Sequence, residues 1–200
     1  MKILFLSSKN PECEKLLSFL RSAGEEVVCV VDDVLFQEVK EINPEIIVSY
    51  SYRFILKSDI FSFPRLGTVN LHISYLPWNR GADPNFWSHI ENTPKGVTVH
   101  YIDDGIDTGD IIGQELVEFS NDDTLKTSYE KLQHAIQKLF YSLWPDIKIG
   151  KAPRSKQVGE GTFHLMKDKA PLLHLLKKGY DTPISVLVEQ GGDHNDTHLT

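Results

Sequence analysis

Apolar residues in the opening quarter of the chain come in short unbroken runs, KILFLSS, EVVCVVDD and EIIVSYS, separated by stretches in which they recur every three or four positions. Runs apolar on both faces mark strands covered by helices above and below. The intervening stretches predict helices from about Pro11 to Ala23, stopped by Gly24, and from about Val34 to Ile42. Alternation of this kind predicts an α/β fold: a Rossmann-like open, mostly parallel sheet with helices on both faces. A strand ending at His72 follows, then a loop rich in Pro, Trp and Gly and a short helix near Asn85 to Ile90. Next come strands GVTVHYI and DIIGQELVEF and a helix from about Asp123 to Leu143, with Thr124 or Asp122 as its cap. Beyond Pro145 the pattern weakens to a loop with a small strand or hairpin, then a short helix in APLLHLLKKGYDTP that ends at Gly179. The expected organisation is a main domain over 1–150, a short α+β appendage over 151–190 and a polar, frayed tail over 191–200.

Composition narrows the setting. Two hundred residues suit one such domain with an appendage. With 40% hydrophobic and 24% charged residues the balance is that of an ordinary globular protein, and no apolar run approaches the length of a membrane span. MKILFLSS turns polar at Lys9, Asn10 and Pro11 without a small-residue cleavage site, so it reads as a first strand and a cytoplasmic location is expected. Cys13, in a helix, and Cys29, in a strand, suggest neither a disulfide framework nor a metal knuckle. A formal net charge of −7 argues against a broad polyanion-binding surface for tRNA or DNA. A small anionic ligand needs only a few donors, for which Arg65, Arg80, Lys95 and Lys126 are candidates.

The chemistry concentrates in two segments. In GTVNLHISYLP, Asn70 and His72 sit two apart on a strand end, so amide and imidazole project to one side while Leu71 turns into the core. In DDGIDTGD, Gly105 and Gly109 free the backbone to bend Asp107 back toward the same cleft. A carboxylate that orients an imidazole is the recurring logic of proton-transfer sites. Ligands of open α/β sheets bind outside the carboxyl ends of the strands, where His72, Asp107 and the loop after Ser51 all fall. The first strand is followed by SSKNPECEK, which has no glycine, so a dinucleotide-binding loop is disfavoured there.

The N-x-H-x-S-x-L-P and D-x-G-x-D-x-G contexts, in that order, resemble the folate-dependent formyltransferases, over roughly the first three quarters of the chain. The resemblance implies 10-formyltetrahydrofolate as cosubstrate, no metal, and Asn70, His72 and Asp107 as the catalytic residues. It further implies that Tyr52, Arg53, Phe54, Ile55 and Leu56, with Asp103, hold the folate, through backbone groups on the pterin edge and aliphatic side chains on its faces. YLPWNRGADPNFWSHIENTPKG is similar to the nucleotide-sugar branch of that family, and Trp78, Asn79 and Arg80 are its candidate substrate contacts. An Arg in a Gly-rich turn can fork onto a pyrophosphate, and indoles can stack on sugar or base faces. Phe86 and Trp87, if helical, pack in the core instead.

The expected activity is therefore formyl transfer to the amino group of a dTDP- or GDP-linked amino-deoxy sugar, in the setting of lipopolysaccharide-type sugar modification. No nucleic acid or membrane is an expected partner, and a homodimer is compatible with the reading. Rival readings keep the chemistry with methionyl-tRNA or a small metabolite as acceptor, or make the chain a folate-dependent hydrolase or a silent folate-binding module. The tRNA enzymes add an RNA-binding barrel, for which the residues after Pro145 are too few and not basic enough. His100 is a candidate near the site, though a structural role suits it nearly as well. His194 and His198 have helical metal-ligand spacing, but a Gly-Gly-led tail rarely forms a helix.

Overall fold

A computed structural model describes residues 1–195. In chain order the elements are β1 (Lys2–Ser7), α1 (Pro11–Ser22), β2 (Glu26–Val30), α2 (Phe36–Ile42), β3 (Ile46–Tyr50), α3 (Ser58–Phe61) and β4 (Thr68–His72). There follow β5 (Arg80–Gly81), α4 (Pro84–Ile90), β6 (Gly96–Tyr101), β7 (Ile111–Leu116), α5 (Leu125–Lys148), β8 (Phe163–His164) and α6 (Ile184–Asn195). The expected α/β class with a Rossmann-like sheet is what the chain forms. The six-stranded sheet runs β2-β1-β3-β4-β6-β7, and the pairs β1 with β2, β1 with β3 and β3 with β4 are parallel. By contacts the chain divides into two units: Met1–His72, Val99–Gly113 and Gln137–Lys156 form the first, and Ile73–Thr98, Gln114–Ile136 and the residues from Gln157 onward the second.

The first unit is built around β1 and β3. Leu4 and Leu6 pack on one face with Val34, Val39, Ile47 and Ile60. Ile3, Phe5 and Val48, turned to the other face by the two-residue period, are equally buried. Helix α1 starts where its sequence says it should: Asn10 caps it by accepting from the Cys13 N–H at 2.8 Å, and Pro11 occupies the first turn. It ends at Ala23, and Gly24 takes φ +82°. Two strands are shorter than their apolar runs, β2 stopping at Val30 and β7 at Leu116.

Helix α5 departs from expectation more. It continues through Pro145 to Lys148 instead of ending near Leu143. The missing N–H of Pro145 forfeits one helical bond, but Trp144 and Ile147 are buried on either side of it and hold the last turn in place. The Lys148 ammonium also reaches the Glu25 carboxylate at 3.6 Å. At the other end Thr124 is the cap: its hydroxyl accepts from Thr127 N–H, and the Thr127 hydroxyl accepts from Thr124 N–H.

In the second unit Phe86, Trp87 and Ile90 of α4 form a core with Leu125, Leu175 and Leu187, as a helical reading of that segment requires. The small strand expected after Pro145 is β8, which pairs in parallel with β5. The short helix expected in APLLHLLKKGYDTP is instead a 3₁₀ stretch, Met166–Leu175, followed by a second, Gly179–Asp181. Pro171 lies inside the first and supplies no N–H for an α-helical ladder. Helix α6 extends to Asn195, so the segment expected as a frayed tail begins inside it; His198 and the rest of that tail lie outside the described residues.

His89 of α4 is fully buried against the Phe119 ring, and neither ring nitrogen has a hydrogen-bond partner. Burial, with Lys95 nearby, pushes its pKa from 6.5 down to about 4. The unfolded chain therefore binds a proton more readily, and the neutral imidazole contributes stability that is present above pH 6.5 and lost as pH falls toward 4. The shift corresponds to roughly 3 kcal/mol. Thermal melts should show the unfolding midpoint dropping across that window, with His89→Leu removing that part of the slope. An unchanged slope in the variant would contradict this account.

Both cysteines are free: Cys13 is buried, with its thiol pushed up by burial, and Cys29 is exposed on β2. Among the described residues no helix is long and apolar enough to cross a membrane, and no cluster of three or more His, Cys, Asp or Glu could hold a metal ion.

Candidate active site

Strand β4 ends in Asn70-Leu71-His72, and the two-residue period sends Leu71 into the core, where it is 4% exposed. Asp107 arrives from the turn after β6. A Cβ on Gly109 would stand 1.9 Å from the Tyr101 carbonyl oxygen, so only glycine lets the turn fold back this closely. The Asp103 carboxylate ties the turn by accepting from Gly105 N–H at 3.2 Å and from the Thr108 hydroxyl at 2.6 Å. Asp107 itself has φ +54°, a left-handed conformation that short polar side chains tolerate.

These elements converge within the first unit. The Asn70 Nδ2 lies 3.3 Å from Asp107 Oδ1 and 3.2 Å from His100 Nε2. His72 Nδ1 stands 3.7 Å from Asp107 Oδ2, and His100 Nε2 is 3.4 Å from Asp107 Oδ1. The two imidazoles are edge to face, 6.3 Å apart. His72 is 8% and His100 1% exposed, so the cluster is largely shielded from water.

His100 orders the cluster. Its Nδ1 is 2.7 Å from the Tyr101 carbonyl, which can only accept. Nδ1 therefore carries the hydrogen in the neutral ring, and Nε2 is left as an acceptor for the Asn70 amide. The amide is oriented nitrogen-first, its two hydrogens meeting His100 and Asp107. From sequence His100 stood only near the site. Its bond to Asn70 joins residues thirty apart on two strands, and no spacing rule signals it.

The segment Tyr52 to Leu56 lies in the same unit. The Tyr52 hydroxyl donates to the Asp32 carbonyl at 2.8 Å and accepts from Val34 N–H at 3.1 Å, while Tyr52 and Leu56 pack against the core. The Phe54 ring is tilted against that of Tyr52, centroids 5.3 Å apart, and carries the Arg53 guanidinium over its face at 4.9 Å. Ile55 is 79% exposed, an apolar side chain with no core to fill. The glycine-free loop after β1 is used locally, Asn10 bonding Ser8 and capping α1.

Trp78, Asn79 and Arg80 belong to the second unit. Asn79 is fully buried: its carbonyl oxygen accepts from Thr93 and its amide donates to Glu91 and Thr162. Arg80 donates one guanidinium N–H to the Glu160 carbonyl at 2.8 Å. Trp87 lies flat on His164, centroids 3.8 Å apart, inside the core. Of the other candidate anion donors, Arg65 pairs with Glu45 and Lys95 donates to the Thr93 carbonyl, while Lys126 is exposed.

A Rossmann-like α/β sheet thus carries an amide, two imidazoles and a carboxylate gathered at the carboxyl ends of β4 and β6. The chain belongs to the formyl transferase family, whose model matches residues 30–143. Among solved structures it is similar to the formyltransferase PseJ of Anoxybacillus kamchatkensis, in complex with UDP-4,6-dideoxy-4-formamido-L-AltNAc and tetrahydrofolate, at 44% identity and a TM-score of 0.89, over 96% of this chain and 100% of that one. A 4-N formyltransferase from Francisella tularensis shares the fold at 22% identity and a TM-score of 0.77, over 95% of this chain and 87% of that one. Among curated proteins it is 36% identical to methionyl-tRNA formyltransferase of Caldanaerobacter subterraneus subsp. tengcongensis over 62% of this chain. It spans 40% of that relative's length.

Proposed function

We propose that this protein transfers the formyl group of 10-formyltetrahydrofolate to the amino group of a nucleotide-linked amino-deoxy sugar. The observation that carries the reading is the Asn70, His72, His100 and Asp107 cluster on a chain that is similar, over 96% of its length, to a formyltransferase holding a UDP-linked formamido sugar and tetrahydrofolate. That neighbour adds UDP to the dTDP and GDP carriers expected from the sequence. The amine nitrogen attacks the formyl carbon, and a C–N bond forms as the carbonyl oxygen becomes an oxyanion. Asn70 donates an amide N–H to that oxygen. The amine proton passes to the His72–Asp107 pair, the bond from the formyl carbon to folate N10 breaks, and N10 takes up a proton. The pterin rests on the Tyr52 to Leu56 loop, with Ile55 on its face. No step calls for a metal.

A second reading keeps every step and makes methionyl-tRNA the acceptor, as the names of the curated relatives suggest. Incubating the protein with 10-formyltetrahydrofolate and UDP-, dTDP- and GDP-linked amino sugars, with charged initiator tRNA in parallel, separates the two. Formamido sugar is the expected product. Formylation of the tRNA alone would replace the acceptor and leave the chemistry, and formate release without an amine would make the chain a hydrolase.

A further inference from the structure

The turn that presents Asp107 closes on Tyr101. The Tyr101 N–H donates to the Asp110 carbonyl at 2.9 Å across the mouth of the turn, Gly109 packs against the Tyr101 carbonyl, and that carbonyl holds the His100 Nδ1. A shift of this one residue would therefore move both Asp107 and the imidazole that orients Asn70. Tyr101 is braced by a segment after α5, beyond the residues that the family model matches. Ser155 and Ile111 exchange two backbone hydrogen bonds, at 2.8 and 3.0 Å, which bring the segment alongside the start of β7. The Arg154 guanidinium then lies over the Tyr101 ring, 3.5 Å from its centre, and the Lys156 ammonium reaches the Asp110 carboxylate at 2.8 Å. Gly67, which leads into β4, borders both partners of the stack: a Cβ there would stand 3.4 Å from the ring and 3.6 Å from the guanidinium. All of these residues belong to the first unit.

We propose that Arg154 is a positioning residue for the catalytic cluster: by seating its guanidinium on the Tyr101 ring it fixes the residue on which the Asp107 turn closes and to which His100 is tied. The two cations of the segment differ in weight. The Lys156 side chain is 87% exposed, and an ion pair so open to water contributes little. Tyr101 is 7% exposed, so Arg154 covers a buried ring, and the attraction of a cation for a ring face strengthens as water is excluded. Arg154 acts through Tyr101, and its effect falls on the alignment of Asp107 with His72, where a displacement of about 1 Å costs roughly a hundredfold in rate. This inference rests on the formyl-transfer reading above.

The test compares wild type with Arg154→Ala, Arg154→Lys, Asp107→Asn and the double variant that combines Arg154→Ala with Asp107→Asn. The readouts are exchange of the His100 Nδ1 hydrogen, followed by histidine side-chain NMR, and steady-state kinetics. The substrates are 10-formyltetrahydrofolate and the fastest acceptor among UDP-, dTDP- and GDP-linked amino sugars and charged initiator tRNA. Arg154→Ala is expected to lower kcat by about tenfold, with both KM values within about twofold of wild type, and to speed exchange of that hydrogen. Arg154→Lys, which keeps a cation over the ring, should recover at least about half of the wild-type kcat. In the Asp107→Asn background the same Ala substitution should cost less than about twofold, because the group it positions has already lost its charge. A merely structural role would lower the melting temperature and cost the same factor in either background. Wild-type kcat in Arg154→Ala, an Arg154→Lys variant no faster than Arg154→Ala, unchanged exchange of the His100 hydrogen, or full additivity with Asp107→Asn overturns the proposal while the formyl-transfer reading stands. A wild-type protein that formylates none of these acceptors overturns both.

Discussion

Replacing Asn70 by Ala is expected to reduce formyl transfer by about a hundredfold to a thousandfold, with binding of 5-formyltetrahydrofolate retained. In the proposed mechanism the amide meets the substrate's charge only in the tetrahedral intermediate, so its loss falls on kcat more than on KM. In the resting site both amide hydrogens are committed, one to His100 Nε2 and one to Asp107 Oδ1. The second acceptor is the one that a developing oxyanion would displace. His100 cannot let go as easily, because its Nδ1 hydrogen is held by the Tyr101 carbonyl at 2.7 Å. Turnover of the Ala variant within about tenfold of wild type would remove Asn70 from the mechanism. Equilibrium unfolding of both proteins keeps a folding defect from being mistaken for a catalytic one.

Asp107→Asn is expected to cost at least about a hundredfold in turnover, and it is the cleaner of the two tests. Asn tolerates the left-handed backbone that Asp107 adopts at φ +54°, so the turn keeps its shape and Gly109 its approach to Tyr101. What disappears is the negative charge 3.7 Å from His72 Nδ1, while the new carbonyl oxygen can still accept from Asn70. Without it the imidazolium that would form on taking the amine proton lacks its counter-charge. An Asp107→Asn variant with wild-type kcat and an unaltered pH profile would assign the proton to another group.

Much of the framework was legible because it rests on short-range rules. Period-two alternation put Asn70 and His72 on one side, and an N-cap, a Pro and a Gly bracketed α1. Glycines flanking a carboxylate foretold that Asp107 would turn back. What escaped depends on partners distant in sequence. Pro145 stays helical because of the burial of Trp144 and Ile147, and a local rule sees only the proline. The 3₁₀ stretch around Pro171 shows the reverse, a local rule, the proline's missing N–H, prevailing over apolar periodicity. His100 gains its place from a backbone carbonyl and an amide on another strand. Asn79 is a candidate ligand contact by resemblance alone; in the structure its side chain donates to Glu91 and Thr162 and accepts from Thr93. Such long-range hydrogen bonds leave no spacing in the sequence to read.

The unequal exposure of the two cysteines has a practical side. Cys13 lies on the buried face of α1 with its thiol 3.5 Å from the Tyr50 carbonyl and pushed toward the protonated, unreactive form, whereas Cys29 is open on β2, at the edge of the sheet. Thiolate character and access together govern alkylation. A maleimide dye added to the native protein should therefore attach once, at Cys29, with no engineered substitution, which yields a singly labelled sample for following folate and nucleotide titrations by fluorescence anisotropy.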